Sequence, residues 1–206
     1  METVFIFNII ILILSVVAHE LAHGYAAEHQ GDPTARLAGR LTMNPLSHMD
    51  LMGSFIVPVL LSLIPGGIVF GWAKPVPYNP YNLKNQRWGE VWVAAAGPLT
   101  NVFIALVFGL IIRFNEVLSL SMAVIEISSM VVFINILLAV FNMIPIPPLD
   151  GSKVLFGFLS YKYNYIKEWL SRNSIFILLF FILFLWRMML PVVFLLFGLF
   201  TGIDLG

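Results

Sequence analysis

Residues 4–17 are apolar except for Asn8 and Ser15, and directly behind them stands His19-Glu20-Leu21-Ala22-His23. A hydrocarbon core about 30 Å thick offers the backbone no water, so this run, continued through the motif to about residue 29, is expected to be a helix long enough to cross it. Ionisable groups that follow it sit at membrane depth, where each charge costs about 2.5–3.5 kcal/mol on insertion scales and marks a functional candidate. On a helix, residues four apart share a face and lie about 6 Å apart along the axis, so both imidazoles reach one metal ion. Glu20 then stands beside the first ligand as general base toward a water that the metal activates. The alternative is two helix histidines satisfied by neighbours.

The rest of the composition fits that solvent. Of 206 residues, 60% are hydrophobic and 11% charged, too little polar surface for a water-soluble domain, so an integral membrane protein is expected. Eleven basic and eleven acidic residues cancel, and no basic patch interleaved with aromatics points to nucleic acid. The absence of cysteine excludes disulfides and thiolate metal sites, leaving His, Asp and Glu as the ligand pool. Met1-Glu2-Thr3 lacks a basic lead, and no small-residue cleavage site precedes His19, so the first segment reads as a retained helix and not a signal peptide.

Spanning helices are predicted over 3–29, 91–112 and 121–144. Between the first two, 34–44 alternates briefly and suits a strand pair or an extended loop better than a helix. His48 and Asp50 in the polar turn 44–50 are ligand candidates or, as a turn pair more often is, a cap or local hydrogen bond. The stretch 51–70 is nearly long enough to span, yet Gly53, Pro58, Pro65, Gly66 and Gly67 suit a broken, re-entrant element equally. Prolines at 75, 77 and 80 make 71–80 an extended interfacial loop. The final apolar run, 174–203, contains Arg187 and Pro191 and reads as one kinked helix or two segments. The expected fold is an all-α polytopic membrane protein: a bundle of about four to six transmembrane helices with a re-entrant element and short β or extended segments near the active site. One membrane-embedded domain, 1–206, is expected, with a core over 1–151 and accessory helices over 152–206.

A catalytic zinc takes three protein ligands and keeps one position open. Among acids outside the motif, Asp150 is the strongest third candidate, because it directly follows a membrane helix broken by Pro145, Pro147 and Pro148 and has Gly151 behind it. Its other reading is a helix cap or turn residue. Asn101, the polar exception in 91–112, is either an interhelical hydrogen bond or a donor aimed into the site; Asn142 faces inward on 121–144.

Three elements in order, His19-Glu20-Leu21-Ala22-His23, Gly97-Pro98-Leu99-Thr100-Asn101 and Asn142-Met143-Ile144-Pro145-Ile146-Pro147-Pro148-Leu149-Asp150-Gly151, make the chain resemble the site-2 protease family of intramembrane zinc metalloproteases. The last is similar to the family's N-x-x-P-x-P-x-L-D-G signature. The resemblance implies one zinc per chain on His19, His23 and Asp150, Glu20 as general base, and roles near substrate or oxyanion for Asn101 and Asn142. It also implies cleavage of a transmembrane helix of another membrane protein. The expected form is minimal, without PDZ or CBS domain. A metal transporter or sensor using the same ligands without hydrolysis is the alternative.

Three ligands must meet at one depth, which makes 3–29 and 121–144 parallel, 91–112 antiparallel to both, and 51–70 a re-entrant element. Arg36, Arg40, Lys74, Lys84, Arg87, Lys153, Lys162, Lys167 and Arg172 then fall on one side and Arg113 on the other. By the positive-inside rule the active site of this multi-pass protein, expected in the cell membrane, faces the cytoplasm.

Overall fold

The computed structural model describes residues 2–62 and 71–203. Helix α1, Glu2–His29, has 28 residues and so runs about 42 Å, more than a bilayer core requires. It is followed by α2, Thr34–Leu37, a 3₁₀ turn at Pro45–His48, and a π-helical turn Leu51–Ile56 that continues as α3, Val57–Ser62. Then come α4, Gln86–Arg113, the short α5, Asn115–Leu118, and α6, Met122–Asn142. Helix α7 covers Asp150–Phe158, α8 Asn164–Arg172, α9 Ser174–Phe180 and α10 Leu190–Thr201. Among the described residues there is no strand, and α1, α4 and α6 are the helices long and apolar enough to cross a membrane; two shorter apolar helices follow at Ser174–Phe184 and Leu190–Thr201. The protein is an all-α, multi-pass membrane protein.

Helix α4 is the hub, packing against α1, α6, α7 and α10. His19 meets Asn101 and His23 meets Val93, so numbers rise along α1 as they fall along α4 and the two are antiparallel. Ser15 meets Asn135, while Asn142 shares a cavity with His23, so α6 runs with α1. Ala105, Ile112, Val132, Ile136, Val193 and Phe197 form the apolar core where α4, α6 and α10 meet. A Cβ on Gly109 would stand 2.8 Å from Cβ of Phe200, so glycine sets how closely α4 and α10 approach. At the far end Arg113 donates to the Leu199 carbonyl (2.8 Å). Lipid-facing positions carry the large apolar side chains, among them Phe5 and Phe103, whereas Ser15, Asn101 and Asn135 lie inside. That distribution follows from the solvent: the tails accept apolar side chains freely, and polar groups find partners only between helices.

The Lys84 N–H donates to the Gln30 carbonyl (2.8 Å), so the chain between α1 and α4 leaves and rejoins the bundle at one end. Within it, the Trp72 N–H bonds the Gly53 carbonyl (3.0 Å) and the Lys74 N–H the His48 carbonyl (2.8 Å), closing the base of the excursion that contains 51–70. Residues 63–70 of the expected re-entrant element 51–70 lie outside the described residues.

One local expectation is corrected and one open alternative is decided. Where 34–44 suggested a strand pair or loop, Thr34–Leu37 is a helical turn, because Asp32 Oδ1 accepts from the Thr34 N–H (3.2 Å) and hydroxyl (2.5 Å) and Ala35 buries its methyl completely. The final run is broken: α9 passes through π-helical and 3₁₀ turns to α10, which has Pro191 in its first turn and an exposed Arg187 at the break. Asn85 caps α4 by accepting from the Trp88 N–H (2.9 Å), so that helix starts five residues before the apolar run.

Candidate metal centre

His19 and His23, one turn apart on α1, point at the stretch of α4 that carries Gly97. A Cβ there would lie 2.5 Å from His19 Nε2 and 2.6 Å from His23 Nε2, so the small residue is the floor on which both imidazoles rest. Asp150 arrives from α6 through the Pro-rich turn, which the Leu149 N–H closes onto the Ile146 carbonyl (2.9 Å), and it opens α7.

The three side chains converge. His19 Nε2 lies 3.1 Å and His23 Nε2 3.2 Å from Asp150 Oδ2, and the two Nε2 atoms are 3.0 Å apart. The rings cross nearly at right angles (86°). All three residues are buried to 9% exposure or less.

The tautomers follow from the far side of each ring. His23 Nδ1 faces the Val93 carbonyl at 2.7 Å, and a carbonyl only accepts, so the proton of the neutral ring is on Nδ1. Behind His19 the orientation passes along a buried ladder that starts from another carbonyl. Asn135 Nδ2 donates to the Val131 carbonyl (2.9 Å) and to Ser15 Oγ (2.9 Å), leaving Oδ1 for Asn101 Nδ2 (2.8 Å). Asn101 Oδ1 is thereby left for the His19 Nδ1–H at 2.5 Å. Both Nε2 atoms are thus bare lone pairs, and with the carboxylate oxygen they form a triangle of acceptors with no hydrogen between them. A tetrahedral ion with bonds of about 2.0–2.1 Å holds its ligand atoms about 3.3 Å apart, so the edges fit a zinc-sized cation. His19, His23 and Asp150 form the one metal-competent cluster among the described residues.

Glu20 borders the same cavity of about 150 Å³ as His19, His23 and Asp150. Its Oε2 accepts from the Val76 N–H (2.8 Å) on the extended segment 71–79, where sequence placed the interfacial loop. Arg40 steadies that segment from its other side by donating to the Lys74 carbonyl (2.9 Å). Tyr78 also lines the cavity; burial and the Glu90 carboxylate it bonds at 3.3 Å push its phenol above the usual range.

The remaining candidates divide. Asn142 lines the cavity, with its amide donating to the Leu138 carbonyl (3.0 Å). Asn101 stands behind His19, not in the cavity, so the geometry matches the helix-linking reading. His48 and Asp50 lie outside the cluster: His48 Nε2 donates to the Thr42 carbonyl (2.9 Å), and Asp50 accepts from the Gly53 N–H (2.7 Å). Sequence reasoning did not reach Ser15, Gly97 as a floor, or the Val93 and Val76 main-chain partners. Ser15 carried a usable signal, one turn before His19 on the same helix face, and Gly97 another, as the small residue that opens the Gly97-Pro98-Leu99-Thr100-Asn101 element.

The sequence profile described as peptidase family M50 matches residues 7–120 and 114–185. "Putative zinc metalloprotease YwhC" of Bacillus subtilis is 38% identical over 71% of this chain and 66% of its own. "Zinc metalloprotease MJ0392" of Methanocaldococcus jannaschii is 26% identical over 77% of this chain and 36% of its own. "Putative zinc metalloprotease MJ0611" of the same organism is 32% identical over 72% of each. The chain thus spans less than two thirds of the first two relatives. No solved structure matches it.

Proposed function

Since the chain belongs to peptidase family M50, the site-2 protease family, we propose that it is an intramembrane zinc metalloendopeptidase that cuts transmembrane segments of other membrane proteins. The observation that carries this reading is the triangle of bare acceptor atoms on His19, His23 and Asp150 with Glu20 beside it in one cavity. These three residues would hold one zinc ion per chain. When bound, zinc lowers the pKa of water toward about 7 and polarises a carbonyl.

The protein's own groups do the rest. Glu20 takes a proton from the attacking water and delivers it to the leaving amine. The Val76 N–H fixes one of its oxygens and leaves the other for the proton. Asn101 and the Val93 carbonyl hold the two rings in their ligating tautomers. The substrate helix unwinds before it is cut, because its carbonyls are otherwise hydrogen-bonded, and the extended 71–79 segment offers main chain beside which it lies. Asn142 lines the cavity wall, which supports a role for it beside the substrate. The basic residues Arg40, Lys74, Lys84 and Lys153 on the side of the site support a cytoplasmic orientation for this end.

The test is Glu20→Gln in proteoliposomes containing a membrane-protein substrate, with zinc measured per chain. Retained zinc with cleavage lost supports the assignment. Unchanged cleavage removes Glu20 from the chemistry, and zinc that crosses the bilayer without any cleavage favours transport.

A further inference from the structure

Lys153 lies three residues after Asp150 in α7 and therefore emerges on the same helix face. Its ammonium stands over the Tyr78 ring, 5.2 Å from the centroid, and both residues line the cavity that holds His19, Glu20, His23 and Asp150. It is the only Lys or Arg among the described residues lining that cavity. Among the described residues it forms no ion pair. A ring face replaces only part of the hydration of an ammonium and leaves its three N–H donors unspent. A charge in that condition beside a reaction centre wants an anionic oxygen.

The proposed reaction, on which this inference rests, makes one. The water oxygen bonds to the carbonyl carbon, the C–N bond breaks, and the amine leaves with a proton carried by Glu20. The acyl half remains as a carboxylic acid that loses its proton to solvent near neutral pH. The new anion arises in a cavity bordered by the Glu20 carboxylate, ionised again once it has passed its proton to the amine, so it meets like charge on that side, whereas the Asp150 charge is balanced by the cation it would hold. We infer that Lys153 anchors the acyl half of the substrate, its ammonium leaving the Tyr78 ring to bond the anionic oxygen that hydrolysis creates. The flexible four-carbon stem permits that movement, and an ammonium–carboxylate hydrogen bond is stronger than the ring contact it replaces.

The probe is an N-acetylated apolar tripeptide, prepared both as the free acid and as the C-terminal amide. Its binding at pH 7 is measured by equilibrium competition on the zinc-loaded full chain in wild type, Lys153→Met, Lys153→Gln and Lys153→Arg. The wild type binds the acid more tightly than the amide. In Lys153→Met that preference falls about tenfold, while amide binding and zinc content stay at the wild-type level. Lys153→Arg keeps it. Should Lys153→Met fail to fold, Lys153→Gln answers the same question, since it retains a donor but no charge. An unchanged acid-to-amide ratio in the neutral variant overturns the anchor. A wild type without zinc or cleavage overturns instead the peptidase reading.

Discussion

His23 donates its Nδ1 proton to the backbone carbonyl of Val93, 2.7 Å away, so main chain on α4 sets the orientation of a motif residue on α1. The contact is possible because α1 and α4 touch where α4 carries only a hydrogen at position 97. Pro98 follows and removes the N–H that the Ala94 carbonyl would have bonded, which disturbs the helical ladder at this turn.

Gly97→Ala therefore strikes the site directly. Its methyl would stand 2.5–2.6 Å from the ring nitrogens, forcing both imidazoles off the triangle. Zinc affinity, read by competition with a chelator, is expected to fall about 100-fold, the upper end for losing ligand orientation. Gly109→Ala, against Phe200 elsewhere in the bundle, is expected to lower thermal stability and keep zinc. Equal zinc affinity in wild type and Gly97→Ala would refute the floor.

Asn101→Leu keeps the volume roughly and removes the acceptor that holds the His19 Nδ1–H. Affinity for zinc should drop about 10–100-fold with the helical content unaltered. Asn101→Asp restores an acceptor but not the donors to Asn135 and Ser15, so it should recover part of the loss. If Asn101→Leu binds zinc like the wild type, the residue serves packing alone.

Asp32 gives a pH dependence outside the spanning helices. Burial works against its ionisation, yet hydrogen bonds from the Thr34 hydroxyl (2.5 Å), Asn82 (2.8 Å) and the Asn79 N–H (2.6 Å) hold its pKa below the ordinary value. A folded pKa below the unfolded value of about 3.9 means that the carboxylate stabilises the fold above that pH and that this contribution is lost as pH falls through the folded value. Asp32→Asn should thus melt lower than wild type at pH 7, with the gap closing on acidification below about pH 4. A gap that persists at pH 2–3 would show that the charge is not what matters.

The chain has no cysteine, so single cysteines report sidedness cleanly. Lys84, just before α4, and Glu116, just after it, are both exposed. Lys84→Cys and Glu116→Cys should react with an impermeant thiol reagent from opposite faces of a sealed vesicle, Lys84→Cys from the cytoplasmic one. Labelling from the same face would overturn α4 as a crossing helix.

The spanning helices were legible because the bilayer removes alternatives: over 3–29 and 91–112 the apolar runs call for a helix, and the prolines after Asn142 end one. The short elements between α1 and α4 were not. Asp32 turns Thr34–Leu37 into a helix through hydrogen bonds from its neighbours, and Lys74 lies against His48 by main-chain contact, neither of which leaves a periodic mark.

At the site itself, residue types and spacing determined which side chains are equipped for the proposed chemistry, since two histidines four apart on a helix, a glutamate between them and an aspartate after a broken helix are chemical statements in themselves. Tertiary structure alone decided how they are made to serve. The Val93 carbonyl, the Val76 N–H and the hydrogen of Gly97 are main-chain features, identical in kind at almost every position, and acquire their roles only when α4 and the 71–79 segment are laid against α1.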